Sequence, residues 1–187
     1  MQGASTEKHS AVREVVHWLR RRGFVVEAGR RHVKPFNRDV WLDGDCIIYA
    51  PEAHPGDMLH EAGHLAVLPS CIRLAVRPGN IEDFTEPAIT EYMESHPNAF
   101  DCPEDPVARA CMQAGDTEAI AWAYAAAIDA QVDPWLTCQN GFGDAESAES
   151  TFTGLKAGCY LGINGLRTAG FMDSTKDFPK LKFWKQP

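Results

Sequence analysis

Three residues in the first third of the chain have types and a spacing that can do chemistry: His60, Glu61 and His64. In a helix, positions i and i+4 share one face, a turn apart. Two imidazoles stacked this way close on a single divalent ion, each nitrogen about 2.0–2.1 Å from a zinc. Glu61 lies roughly 100° around the helix from His60, too far to be an equivalent ligand. It can still reach a water held on the ion and take its proton. Two ligands and one base are the physical content of H-E-x-x-H.

The motif needs a helix beneath it, and its surroundings predict one over residues 57–67. Leu59, Leu65, Ala66 and Val67 give that stretch the apolar content of a core helix. Asp57 can cap its start, Pro55-Gly56 breaks what precedes it, and Leu68-Pro69 stops it. Two histidines on such a helix without a metal would need other hydrogen-bond partners.

The run Ile47-Ile48-Tyr49-Ala50, a short turn, then Met58-Leu59-His60-Glu61-Ala62-Gly63-His64-Leu65-Ala66-Val67 resembles the strand and active-site helix of the zincin metallopeptidases. Small single-domain members of the ImmA/IrrE type are most similar. The resemblance covers about a dozen residues around the motif and, more weakly, a second helix near Glu118. It implies an α+β fold: one compact zincin-like domain over 1–187, a small N-terminal sheet and the motif helix packed on further helices. It also implies a zinc-dependent metallopeptidase that hydrolyses a peptide or protein amide bond.

Two histidines leave such a site incomplete, because catalytic zinc usually has three protein ligands and a water. The pattern H-E-x-x-H-x-x-G-x-x-H needs glycine at position 67 and histidine at 70, where this chain has Val67 and Ser70. The other common arrangement takes a glutamate from a second helix. Glu118 is the first choice, with Ala121 one turn on to let the two backbones approach, as in gluzincins. Their thermolysin-like version has an Asp four residues after that Glu. Here the position is Trp122, so the partner of a zinc histidine stays unassigned. Asp116, Glu91 and Glu94 are rivals to Glu118, and His96 and His54 weaker ones. Two histidines and a carboxylate also suit other divalent ions.

With the site complete, Glu61 acts as general base and then passes its proton to the leaving amine. Tyr92, His96, Tyr124, Tyr160 and Arg167 are each candidates to stabilise the oxyanion. The alternative reading is a non-catalytic binding or regulatory module that keeps the fold and its metal. A third is a metal-free protein whose two histidines are satisfied within the core.

The net charge of −8 is unevenly spread. Residues 1–40 carry +5, residues 41–150 carry −17 and residues 151–187 carry +4. An acidic middle around the motif disfavours nucleic acid there. It suits a basic substrate, or is simply a solvated face. No run approaches the ~20 apolar residues of a membrane span, and the polar start is not a secretory signal. Six cysteines, none in C-x-x-C spacing, read as buried thiols of a cytoplasmic protein.

The elements that must position the motif follow from periodicity. Residues 5–22 predict an amphipathic helix through Val12, Val15, Val16 and Leu19, ended by Gly23; 24–27 predict a strand. Val40–Leu42, an Asp43-Gly44 turn and Cys46–Tyr49 predict strand, turn, strand. Short helices are predicted over 87–95 and 107–114, and an alanine-rich one over 118–131. One further helix is predicted over 145–167. Its Gly154, Gly158 and Gly162 form a ridge against the alanine face of 119–130. The tail packs Phe183 and Trp184 across the domain. His9, His17 and His32 are surface or edge residues.

Overall fold

The computed structural model describes residues 2–29, 39–76, 81–98, 104–139 and 145–187. The side chain of His9, all of His32 and Cys102, and the stretches 30–38, 77–80, 99–103 and 140–144 lie outside them. The described residues form an α+β fold of eight helices and a three-stranded sheet. Helix α1 (Gln2–Arg21) buries Val15, Val16, Trp18 and Leu19, the face its periodicity predicts, and Gly23 follows it with φ +85°.

Strands β1 (Val25–Ala28), β2 (Val40–Asp43) and β3 (Cys46–Tyr49) form the sheet in the order β1-β3-β2. β2 and β3 are an antiparallel hairpin with Trp41 opposite Ile48, and β1 runs parallel to β3 with Val26 opposite Ile47. The hairpin turns at Gly44, whose φ of +58° lies in the left-handed region that favours glycine.

Helix α2 (Pro55–Val67) follows the sheet and is the centre of the molecule: all its residues but Asp57 are buried. It starts two residues before the predicted point. Pro55-Gly56 begins the helix, because a proline at the first position gives up only an N–H that has no helical partner. Asp57 sits in the first turn, and the cap is His54, whose Nδ1 accepts from Gly56 N at 3.2 Å.

Helices α3 (Ser70–Arg73), α4 (Ile81–Ser95), α5 (Pro106–Cys111) and α6 (Asp116–Ala130) follow. α3 was not anticipated from sequence. α4 runs through Pro87 rather than starting there, and α6 begins two residues earlier than its alanine content suggested.

The helix predicted over 145–167 is two: α7 (Ala145–Lys156) and α8 (Leu161–Thr168). Gly158 adopts φ +71° and Cys159 N donates back to Gly154 O at 2.9 Å, a glycine C-terminal cap. The glycines therefore do not form one ridge. Gly154 faces Tyr160, while Gly162 and Gly165 meet Thr117 and Glu118 in the first turn of α6, not its alanine face.

The tail packs as read. Trp184 meets Trp18 and Trp122 edge-on at 4.8 and 5.8 Å, and Phe183 meets Phe171 at 4.7 Å. The thiols differ from the reading: of the five described cysteines only Cys111 is buried, and Cys71 and Cys159 are exposed. Among the described residues no helix is long and apolar enough to cross a membrane.

Candidate metal centre

The close approach of α2 and α6 builds the site. A Cβ on Gly63 would lie 2.7 Å from Ala119 O and 2.8 Å from Ala119 Cα, so only glycine lets the backbones meet there. Gly63 precedes His64 directly, and Asp116 lies one turn before Ala119. The crossing therefore carries the start of α6 over the two imidazoles.

Three donor atoms converge as a result. His60 Nε2 and His64 Nε2 are 3.2 Å apart, and Asp116 Oδ1 lies 3.2 Å from His64 Nε2 and 3.7 Å from His60 Nε2. These three residues are the group, among the described residues, able to hold a metal ion, with ligand atoms all within 4.8 Å of one another. Donors about 2.0–2.1 Å from a tetrahedral ion stand roughly 3.3 Å apart, so the spacing fits such an ion. The tautomer fits as well. His64 Nδ1 lies 3.3 Å from Ala114 O; donating to that carbonyl fixes its proton there and leaves the Nε2 lone pair facing the group.

The electrostatics couple the three. Burial pulls His60 down to about 4, helped by the His64 charge and opposed by Asp116. Burial pushes His64 down too, but there the Asp116 bond, the charges of Glu61 and Asp116 and the Ala114 carbonyl outweigh it, and it is held above its ordinary value. Bonds to both histidines keep the Asp116 carboxyl well below the usual carboxylate range. Both rings must be neutral to ligate an ion.

The sequence candidates separate clearly. Glu61 is 1% exposed, beside His60 on α2. Glu118 is buried but outside the converging group: its Oε2 accepts from Thr117 Oγ1 at 2.8 Å and its side chain lies against Gly165, with burial raising its pKa. Asp116, a rival to Glu118 in sequence, is the carboxylate the structure brings to the histidines. Both residues have an alanine three positions later, Ala119 and Ala121, so spacing could not choose. Only the seating of Gly63 on Ala119 does.

The other rivals stand elsewhere. Glu91 and Glu94 are exposed on α4, His54 caps α2, and exposed His96 stacks on Tyr92 at 4.3 Å. His17 is exposed on α1. The partner that sequence left unassigned is a backbone carbonyl, that of Ala114. Trp122 is fully buried among Trp18, Phe24 and Trp184.

Of the five oxyanion candidates, Arg167 is exposed on α8 and Tyr124 stacks on Phe178. Tyr160 caps α8, the helix seated on the start of α6. Burial, the charge of Glu118, Cys138 and the charge of Asp116 raise its pKa to about 12. Its hydroxyl is held protonated.

Set against known proteins, the chain matches no family model, no curated protein and no solved structure.

Proposed function

We propose that this protein is a metal-dependent hydrolase, a zinc metallopeptidase acting on a peptide or protein amide bond. His60, His64 and Asp116 hold the ion and Glu61 is the general base. The observation that carries this reading is the convergence of two imidazole nitrogens and one carboxylate oxygen within 4.8 Å, next to a buried glutamate. An ion held there supplies Lewis acidity for water activation and carbonyl polarisation. Glu61 accepts the proton of the attacking water and returns it to the leaving amine. Tyr160, kept protonated, donates to the developing oxyanion. The Asp116 side chain is 58% exposed, so the group opens to solvent on that side, as a hydrolytic site requires and a closed structural site does not.

The test is metal content per chain in protein purified without an affinity metal, followed by turnover on a peptide library. Wild type should hold about one zinc, Asp116→Ala much less, and Glu118→Ala about as much as wild type. Glu61→Gln should keep the metal and lose at least about 100-fold in turnover. A zinc-free wild type, after zinc has been added back, would sink the reading. Loss of zinc in Glu118→Ala alone would move the third ligand to Glu118.

A further inference from the structure

A cleft of about 400 Å³ lies away from the metal group, between α6, the end of α7 and residues 175–179. That is within the range of small-ligand pockets, about 300–1,000 Å³. Tyr124, the nearest of its lining residues to the start of α6, is eight residues beyond Asp116. At about 1.5 Å per residue the two are roughly 12 Å apart along the helix.

The lining has two kinds of group. One side is apolar and flat: Tyr124 stacks on Phe178 with centroids 5.8 Å apart and planes at 17°, over Leu155. The other side is cationic: Lys156 from the last turn of α7 and Lys176 from the 3-10 turn Thr175–Asp177. Among the described residues neither ammonium makes an ion pair. The nearby carboxylates are committed, Asp177 to Ser174 N at 3.0 Å and Asp173 to Lys182. Tyr124 is only 7% exposed, yet its hydroxyl has no hydrogen-bond partner among the described residues. Burial holds that hydroxyl protonated, a donor. A protein with net charge −8 thus places two unpaired cations and a phenol around one aromatic-walled cleft.

We propose that this cleft binds a small aromatic anion, an aryl carboxylate or aryl phosphate. Its ring lies against the Tyr124–Phe178 wall and its charge faces Lys156 and Lys176. Shape and stacking select the ring, and the two ammonium groups select the anion. Neither contact involves the metal group, so the site stands whether or not the chain is a hydrolase.

The experiment is titration of isotopically labelled full-length protein with phenyl phosphate, benzoate, inorganic phosphate and phenol, followed by amide NMR. Expected are saturable shifts at Gly158, Thr175 and Lys176 with phenyl phosphate or benzoate. Inorganic phosphate and phenol should each bind at least about 10-fold more weakly, since each keeps only half of the contacts. Lys156→Glu with Lys176→Glu, two exposed positions, should weaken the aromatic anions at least about 10-fold with Tm unchanged. Asp116→Ala should leave the binding intact. Absence of saturable shifts with both aromatic anions, or equal affinity in the double variant, overturns the proposal. Loss of binding in Asp116→Ala overturns it too, by assigning the anion to the metal group.

Discussion

Two neighbouring stretches of α2 are fixed by opposite means. Beside the site the helix is held by what is missing: Gly63 has no side chain, so Ala119 of α6 sits against its backbone. At its C-terminal end it is held by one buried cation. The Arg73 guanidinium, 4% exposed, donates to Leu68 O, lies 3.4 Å from Leu65 O and 2.9 Å from Gln186 O, and pairs with Asp45 at 3.2 Å. The tail adds Gln186 N to Ala66 O at 2.9 Å and Lys185 to Asp45 at 2.7 Å. A steric fit sets position sharply, because backbone against backbone cannot yield. A guanidinium among carbonyls supplies stability with more tolerance in position. The turn of the helix that carries the site uses the sharper device.

Substitutions that attack each device separately test this division. Gly63→Val should cost about 3 kcal/mol or more, because the added carbons meet Ala119 backbone with no flexible atom to give way. It should also cost metal content, since α6 cannot carry Asp116 over the imidazoles from a greater distance. Urea unfolding and elemental analysis read both effects. Arg73→Met should cost about 2–3 kcal/mol, as the last carbonyls of α2 lose their donor and Asp45 keeps only Lys185. Zinc per folded chain should stay near wild type. A variant at Arg73 that loses metal as fully as one at Gly63 would erase the distinction.

The same contrast explains what the sequence revealed. The motif helix was legible because its two histidines stand one helical turn apart within an apolar stretch, and the hairpin because two strand-like runs flank the Asp43-Gly44 turn. The third donor was not. Asp116 and Glu118 stand two residues apart before equally spaced alanines, and which of them reaches the imidazoles is set by the contact of Ala119 with Gly63, 56 residues apart along the chain. Arg73 was invisible for a related reason: it lies in a short helix with no period to read, and its acceptors are backbone carbonyls, which carry no signature. The split of α7 from α8 was misread because Gly158 fits a ridge of glycines every four residues. Only its φ reveals it as a cap.

A milder substitution sharpens the assignment within α6. A Cβ on Gly165 would lie 2.0 Å from Glu118 Oε1, so Gly165→Ala must push that side chain aside. A carboxylate at the end of a flexible chain can move, and the cost should be about 1–2 kcal/mol. With Asp116 as third donor the zinc content is unchanged. If Glu118 is the donor, its displacement releases the metal, and elemental analysis of this one variant distinguishes the two without substituting either carboxylate.

The smallest effect belongs at the start of α2, where His54 caps the helix through Nδ1 to Gly56 N. Ser, Thr, Asp and Asn are the usual caps, and losing one costs about 0.5–2 kcal/mol. His54→Ala should fall at the low end, about 0.5–1 kcal/mol, because the 3.2 Å bond is longer than the N–H···O norm and Pro55 already preorganises the first turn. Gly56 packs beneath it against Leu136 O, where a Cβ would come within 2.0 Å, so the helix start stays pinned after the cap is gone. Metal content at the group one turn further on should therefore match wild type. Thermal unfolding with and without a chelator separates the two contributions: His54→Ala should lower Tm by a similar amount in both states. A deficit seen only in the metal-loaded protein would make His54 part of the metal centre rather than the cap of its helix.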